Sequence, residues 1–175
     1  MLDDVSSTSE VQEKWEKENL YSQLLDSNKD REKYILHDGP TYANGDIHIG
    51  HAVNKILKDV IVRSKILSGY NVPFVPGWDC HGLPIEIEVE KKIKKGEELS
   101  DKDFRKLCRE YALNQVERQK KDFKRLGVLG DWENPYLTSN KKFEASTLKA
   151  LEKIYNNGHL QNCLLYTSPS PRDLP

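Results

Sequence analysis

The stretch HDGPTYANGDIHIGH, residues 37–51, decides the fold because it separates a predicted strand from a predicted helix. The apolar run Tyr34–Leu36 precedes it and is typical of a buried strand that ends in a loop. Beyond it, apolar residues recur at helical spacing as far as Leu67, and Gly69 provides a natural end to that helix. Residues 34–67 therefore predict a strand, a loop and a helix in that order.

A second strand is predicted at residues 71–75, directly before the segment PGWDCHGLP. It completes a βαβ unit, in which the two strands lie parallel and the crossover is right-handed. The loops that follow parallel strands meet at one edge of the sheet, and ligands bind there. The sequence thus predicts an α/β fold, a parallel sheet flanked by helices, with a binding site at the edge where these two loops meet.

Three further helices are predicted outside this unit. One runs from Ser9 to Leu25, a long charged one begins with Ser100 and Asp103 as a cap and ends near Leu126, and one covers residues 140–157 before Gly158. For the helix at 49–67 we expect the apolar residues to face the core and the charged residues mostly to face solvent. The apolar set is Ile49, Ala52, Val53, Ile56, Leu57, Val60, Ile61 and Leu67, and the charged set is Lys55, Lys58, Asp59, Arg63 and Lys65.

The composition is that of one globular domain, since the chain has 175 residues of which 37% are apolar and 31% charged. The net charge of −1 argues against a nucleic-acid surface over the whole domain and leaves a local basic patch open. No apolar run approaches the roughly 18 residues of a membrane span, and the first residues show no signal-peptide pattern. Cys80, Cys108 and Cys163 lack the spacing of a zinc site or disulfide framework. We expect a cytoplasmic protein with no membrane contact and no metal site.

His48, Gly50 and His51 stand where the predicted helix begins. Backbone N–H groups and the helix dipole favour phosphate at such a position, and imidazole donors there can follow charge as it builds on a reacting phosphorus. Gly50 leaves room for a flat base. The spacing is neither the dinucleotide-binding GxGxxG nor the metal-binding HExxH. On spacing alone, two surface histidines on a first helical turn remain the alternative.

Three blocks of sequence resemble the class I aminoacyl-tRNA synthetases, and among these the isoleucyl family. They are residues 37–51, which contain the HIGH signature, NKILKDVIVRSKILSGY at 54–70 and PGWDCHGLPIE at 76–86. Valyl enzymes typically show a PPPNVTG-like lead, and leucyl enzymes show PYPSG and WDAFGLP, none of which occurs here. The similarity extends more loosely over residues 9–162.

The resemblance implies ATP-dependent activation of L-isoleucine to an adenylate, followed by transfer to the cognate tRNA. It implies that His48 and His51 act at the phosphates, and that Gly50 packs against adenine. Asn54 is implied to lie on the same edge, with simple solvation of the helix as its alternative. Mg²⁺ is expected to arrive with ATP and to be held mainly by the phosphates. The full-length protein is expected to be a monomer.

Two residues are implied to contact the amino acid. Asp79 matches the family position whose carboxylate pairs with the α-ammonium group, and Pro40 matches a position that lines the isoleucine pocket. The alternative for Asp79 is an Asx turn after Gly77, and the two roles are compatible. Trp78 and Cys80, on either side of Asp79, are interpreted as packing residues.

The chain is expected to divide into a helical extension at residues 1–30, the first half of a Rossmann-like catalytic domain at 31–162 and a foreign tail at 163–175. Residues 163–173 of this tail, CLLYTSPSPRD, correspond to the translation of a nucleotide sequence that resembles a transposase-type sequencing adapter. An ordinary linker rich in proline and serine is the alternative.

A class I site also needs a KMSKS loop from the second half of its fold, and the sequence contains no such stretch. KKIKKG at 91–96 lacks the Met-Ser-Lys order, and editing and anticodon-binding regions are likewise not found. Beside a truncated ligase of this family, two readings therefore stay open: an inert ATP-binding half-domain and another HxGH nucleotidyltransferase. The basic run RQKKDFKR at 118–125 is interpreted as a solvated helix face, with contact to a tRNA acceptor stem as the alternative.

Overall fold

The computed structural model describes residues 4–93 and 99–162, with side chains from residue 9 onward. The predicted tail at 163–175 and residues 94–96 of the KKIKKG run lie outside the described residues. The elements follow one another as α1 (Asp4–Lys17), α2 (Leu20–Ser27), β1 (Thr41–Tyr42), α3 (Ile49–Leu67), β2 (Gly77–Asp79), α4 (Leu83–Glu90), α5 (Asp101–Arg125), β3 (Tyr136–Leu137) and α6 (Lys141–Asn156).

The described residues form a three-stranded parallel sheet in the order β1-β2-β3. Thr41 pairs with Trp78 and Tyr42 with Asp79, so the ends of β1 and β2 lie side by side. β3 pairs with the other side of β2, with Trp78 opposite Leu137. The predicted α/β class with a parallel sheet is confirmed.

The strands lie later in the chain than predicted. Along the predicted strands 34–36 and 71–75 the described structure has one parallel bridge, between Lys33 and Asn71, in place of a ladder. The backbone of Phe74 bonds elsewhere, because its N–H donates to the Tyr21 hydroxyl at 2.7 Å and its carbonyl accepts from that hydroxyl at 3.2 Å. Val72 and Phe74 of the second run are buried, but the prediction of a buried strand at 34–36 was wrong, since Ile35 is 56% exposed and its two neighbours are half-buried. The backbone of Phe74 is satisfied by Tyr21 of α2 and by the Asp131 N–H rather than by a neighbouring strand.

The core around the sheet is aromatic. Trp78 of β2, Phe123 of α5 and Trp132 are buried together, with ring centroids 6.0 to 6.4 Å apart. A second cluster joins α3 to the segment before β2, and its buried members are Val62, Ile66, Val72 and Phe74. The packing of Trp78 and Cys80 in the first cluster agrees with their predicted role.

The orientation predicted for α3 was wrong. Lys55 is 1% exposed, whereas Leu57 is 59% and Val60 57% exposed. Asp59 and Arg63 are half-buried and form an ion pair with each other. The physical reason is a buried carboxylate, Asp38, which draws lysines of α3 inward, as described below.

The other predicted helices are confirmed in position, and the first is interrupted. The break between α1 and α2 falls at Asn19, whose φ of 49° is left-handed. Ser100 caps α5 by accepting from the Asp103 N–H at 3.2 Å. Across the described residues, no helix is long and apolar enough to cross a membrane.

The chain separates into two compact units, one ending at Ser139 and the other beginning at Asn140. The second contains α6, whose first turn is capped by the Asn140 side chain accepting from the Lys142 N–H at 2.9 Å. α6 is followed by Gly158 at a φ of 74°, as the sequence predicted. The division at residues 30 and 162 that was inferred from the sequence stays a prediction.

Candidate active site

The first turn of α3 is closed by its own histidines. His48 is the N-cap, with an extended backbone, and its Nδ1 accepts from the Gly50 N–H at 3.1 Å. In return the His48 N–H donates to Nδ1 of His51 at 3.2 Å. This is a capping box in which imidazole nitrogens take the places that serine and glutamate usually fill.

The capping box defines which nitrogen of each ring accepts a hydrogen bond. A neutral imidazole that accepts at Nδ1 carries its proton on Nε2, so each ring keeps one N–H donor that the cap does not use. The two rings stack with centroids 3.9 Å apart, and the His48 side chain is exposed. The helix start therefore presents two paired imidazole donors beside the positive end of a helix dipole.

The pKa of His51 is lowered, chiefly by desolvation and further by the neighbouring His48 and Lys55. His51 is half-buried, so the neutral ring is favoured at neutral pH. This is the form that the cap requires, because a protonated imidazole cannot accept at Nδ1.

Gly50 has a steric role in addition to the one that the resemblance implies. A Cβ at this position would lie 2.9 Å from Cε1 and 3.1 Å from Nδ1 of His48. A side chain here would push the His48 ring out of the capping box. Asn54, one turn beyond His51, is exposed on α3.

Asp79 ends β2 at the same edge of the sheet. Its Oδ1 lies 3.3 Å from the Thr138 hydroxyl and accepts from the His81 N–H at 3.4 Å, which forms the Asx turn expected as an alternative role of Asp79. The Thr138 hydroxyl in turn accepts from the Cys80 N–H at 2.8 Å. Within the described residues the other oxygen, Oδ2, makes no hydrogen bond. Asp79 is half-buried, and these two contacts hold its Oδ1 in place.

The loop between β1 and α3 is held against this edge. The Ala43 N–H donates to the Asp79 carbonyl at 2.8 Å, so the loop after β1 is tied to the end of β2. Pro40 lies immediately before β1 and is exposed. The structure thus brings the loop after β1, which leads to α3, and the end of β2 with Asp79 to the carboxyl edge of adjacent parallel strands, as the βαβ pattern predicted. Pro40 lies instead at the amino end of β1, because β1 begins later in the chain than predicted.

Side chains of helix α5 bind the same loop through hydrogen bonds and an ion pair. Gln119 is fully buried, and its amide donates to the carbonyls of Tyr42 at 3.1 Å and Gly45 at 3.0 Å. The Tyr111 hydroxyl donates to the Asn44 side chain at 2.8 Å, and Arg118 pairs with Asp46. The sequence reasoning missed these residues, although a glutamine among the apolar residues of a helix face was a signal that it is buried and hydrogen-bonded.

The basic run at 118–125 is not simply a solvated face. Arg118 pairs with Asp46, Lys120 with Glu133 at 3.4 Å and Lys124 with Glu16 at 2.8 Å. Phe123, in the same run, is buried in the core. Much of this positive charge is therefore neutralised within the chain.

Metal-ligating residues do not converge at this edge. Over residues 4–93 and 99–162, no group of three or more His, Cys, Asp or Glu side chains is placed to hold a metal ion. Burial raises the pKa of the Cys80 thiol beside Asp79, which keeps it protonated and unreactive.

A parallel sheet whose crossover helix starts with a capped HIGH segment, next to a strand ending in an aspartate, defines the catalytic fold of a class I aminoacyl-tRNA synthetase. The family model of tRNA synthetases class I (I, L, M and V) matches residues 10–166, so the chain belongs to this family. It is similar to the isoleucine–tRNA ligase of Francisella tularensis subsp. novicida (strain U112), with 64% identity over 148 residues. The ligase of subsp. mediasiatica (strain FSC147) is 65% identical over the same length.

These matches cover 84% of this chain and 16% of each relative, so the chain spans about a sixth of the length of the curated relatives. A similar fold occurs in the crystal structure of the ternary complex of Agrobacterium radiobacter K84 agnB2 LeuRS, tRNA and LeuAMS. Its TM-score is 0.66 at 24% identity, over 86% of this chain and 17% of that one. This likeness supports the fold.

Proposed function

We propose that this chain is the part of an isoleucine–tRNA ligase that binds ATP and the amino acid through its first catalytic half. In the proposed reaction an oxygen of the isoleucine carboxylate attacks the α-phosphorus of ATP in line. The bond from that phosphorus to the bridging oxygen breaks, giving isoleucyl adenylate and pyrophosphate. The observation that carries the proposal is the histidine capping box at the start of α3 in a chain so similar to isoleucine–tRNA ligases.

His48 and His51 are proposed to bind the phosphates of ATP. Their Nδ1 atoms are occupied by backbone N–H groups, so the remaining donors are the two Nε2–H groups. Such fixed donors stabilise charge that develops during displacement without having to reorganise. Gly50 and Asn54 are proposed to lie along the adenosine, at the start of the same helix.

Asp79 and Pro40 are proposed to bind the amino acid. The free Oδ2 of Asp79 suits a charge-assisted pair with an α-ammonium group, and Thr138 and the His81 N–H hold the carboxylate in orientation. Pro40 is rigid in φ and exposed next to β1, which suits the wall of a small apolar pocket.

Mg²⁺ and tRNA are proposed as further partners. The described residues offer no cluster of metal ligands, which fits an ion that enters with ATP and is coordinated mainly by its phosphates. The second step, transfer of the isoleucyl group to tRNA, is proposed for the full-length ligase. Because the KMSKS sequence does not occur in this chain, we propose that the chain alone is catalytically inert.

The test is isoleucine-dependent exchange of labelled pyrophosphate into ATP. Residues 9–162 are placed in the Francisella ligase in exchange for its matching segment, and the chimera is compared with the isolated chain. We expect exchange with isoleucine from the chimera, much slower exchange from His48→Ala in that context, and none from the isolated chain. Exchange with valine or leucine alone would refute the proposed specificity. A chimera that is inactive with all three amino acids, beside an active parent ligase, would refute the proposed function.

A further inference from the structure

The carboxylate of Asp38 is fully buried, and both of its oxygens accept hydrogen bonds. Its Oδ2 bonds to the ammonium group of Lys55 and accepts from the Gly77 N–H at 2.9 Å, and its Oδ1 accepts from Lys58 at 2.6 Å. The backbone carbonyl of Asp38 also accepts from the Tyr136 hydroxyl at 2.6 Å. One residue of the loop before β1 thus contacts α3, β2 and β3.

Stability alone does not explain this cluster. Asp38 and Lys55 are buried and Lys58 is largely so, which costs the hydration of one carboxylate and two ammonium groups. Burial lowers the pKa of Lys55, and the Asp38 carboxylate opposes that shift. Buried ion clusters of this kind can often be replaced by apolar side chains of similar volume without loss of stability. What an apolar cluster does not supply is a defined direction for each contact.

The residues that Asp38 contacts lie close in sequence to both proposed binding groups, the histidines of α3 and Asp79 of β2. Lys55 is one turn along α3 from His51, the second half of the capping box. Gly77 is the first residue of β2, which ends at Asp79. A Cβ on Gly77 would lie 2.0 Å from the Tyr136 ring, so this close approach of β2 and β3 requires glycine.

We propose that Asp38 is a positioning residue that fixes the start of α3 relative to the end of β2, and so aligns ATP with the amino acid for in-line attack. The inference rests on the function proposed above. It predicts that loss of Asp38 slows the chemical step, because misplacing reacting groups by about 1 Å can cost on the order of 100-fold in rate. Binding of each substrate to its own element is retained.

The experiment measures pyrophosphate exchange by the chimeric ligase carrying Asp38→Asn, with active sites counted by the burst of adenylate formation. We expect kcat per active site to fall about 30- to 100-fold, while the KM values for ATP and isoleucine each stay within about threefold. An unchanged kcat per active site, with only fewer active molecules, would show that Asp38 has a structural role and would overturn the proposal.

Asp59→Asn is the matched control. Asp59 also binds a basic side chain and a backbone N–H, those of Arg63 at 2.6 Å and Leu129 at 2.8 Å, but these bonds join α3 to the loop after α5 and include no residue of β2. We expect its kcat per active site to stay within about threefold of the parent. A loss equal to that of Asp38→Asn would overturn the proposal.

A second variant covers the case in which Asp38→Asn does not fold. Asp38→Leu combined with Lys55→Met and Lys58→Met replaces the cluster by apolar side chains. We expect this variant to fold, with a melting temperature lowered only by the lost acceptor of the Gly77 N–H, and to remain slow per active site. Full recovery of kcat would overturn the proposal.

An NMR measurement, which does not require enzyme activity, tests this inference separately from the proposed function. Amide and imidazole NMR spectra of the 175-residue chain are compared for the parent, Asp38→Asn and Asp59→Asn. We expect the signals of the Gly77 N–H and of the His48 and His51 rings to shift together in Asp38→Asn only. If the Gly77 signal shifts and both histidine rings do not, the coupling is refuted. If the signals shift together but the chimera is inactive, the proposed function fails and the coupling stands.

Discussion

The indole N–H of Trp78 donates to the side-chain oxygen of Gln119 at 2.9 Å, and both side chains are fully buried. Trp78 is the central residue of β2, and Gln119 lies on α5. The amide of Gln119 also donates to the carbonyls of Tyr42, at the end of β1, and of Gly45, in the loop before α3. One side chain therefore links the strand that carries Asp79 to β1 and to the loop that leads to His48. Its three bonds use both N–H donors and the oxygen.

Gln119→Glu should destabilise the chain strongly although the shape is nearly unchanged. The substitution removes both donors, so the Gly45 carbonyl loses its partner, whereas the Tyr42 carbonyl keeps the Asn44 N–H at 2.9 Å. It also places a carboxylate at a fully buried position, and the lost partner and the buried charge are both costly, the first by about 1–3 kcal/mol. We expect the free energy of unfolding in urea to fall by roughly 3 kcal/mol. Gln23→Glu makes the same change at an exposed glutamine that donates to the Glu18 carbonyl, and should change stability by less than about 0.5 kcal/mol. Equal effects of the two variants would contradict the linking role of Gln119.

His48→Asn should separate the capping role of His48 from its proposed role at the phosphates. Asparagine is among the best N-caps, so this variant should keep the stability of the parent within a few tenths of a kcal/mol, whereas His48→Ala should lose about 1 kcal/mol. In the chimeric ligase, both variants should reduce isoleucine-dependent exchange by about 100-fold or more. Urea unfolding and exchange, measured on the same preparations, test both parts. A fully active His48→Asn would show that the imidazole has no part in catalysis.

The contribution of His51 to stability should depend on pH. Its pKa is lowered in the folded chain by desolvation, then by His48 and Lys55, so the folded state binds fewer protons than the unfolded state, where the pKa is near 6.5. The contribution of the cap is therefore complete above pH 6.5 and is lost as the pH falls through the folded-state value. We expect the stability difference between the parent and His51→Asn to be smaller at pH 5.5 than at pH 7.5 in urea unfolding. A difference that grows toward low pH would contradict the assignment of Nδ1 as an acceptor.

Gly77→Ala should be destabilising because of one neighbour. Its Cβ would lie 2.0 Å from the Tyr136 ring, which must move and give up its hydrogen bond to the Asp38 carbonyl. We expect a loss of roughly 2–3 kcal/mol in the free energy of unfolding. In the background of Tyr136→Ala, where the ring is absent, the same change should cost much less, and a double-mutant cycle measures the difference. Additive effects would show that the clash is relieved in another way.

The positions of the main helices could be predicted because local sequence signals, such as caps and terminal glycines, mark where these helices begin and end. Gly69, Ser100, Asn140 and Gly158 mark helix boundaries that the structure confirms. The strand positions could not be predicted, because the Tyr21 hydroxyl, 53 residues away, binds the backbone of Phe74 and no local pattern reports that contact. The prediction of which face of α3 is buried was wrong for a related reason, since hydrophobic periodicity treats lysine as solvent-facing wherever it occurs. The carboxylate that buries Lys55 lies 17 residues earlier in the chain.

The candidate site was predictable where short motifs carry it. His48, Gly50 and His51 lie in one turn, and the pairing of β1 with β2 brings Asp79 beside the end of β1, as a βαβ unit requires. Asp38 and Gln119 were not found, because their importance comes from bonds to backbone groups of several distant elements. The roles of His48, His51, Gly50, Asn54, Pro40 and Asp79 toward ligands stay predictions.

The most direct measurement is the KM for isoleucine and for ATP in pyrophosphate exchange by the chimeric ligase carrying Asp79→Asn. Asparagine keeps an oxygen for the His81 N–H and the Thr138 hydroxyl, so the loop is preserved while the charge is lost. Losing a charge-assisted hydrogen bond to the α-ammonium group costs about 1.5–3 kcal/mol, so the KM for isoleucine should rise at least about tenfold while the KM for ATP stays within about twofold. An unchanged KM for isoleucine, or an equal rise in both, would contradict the assignment of Asp79 to the amino acid and the start of α3 to ATP.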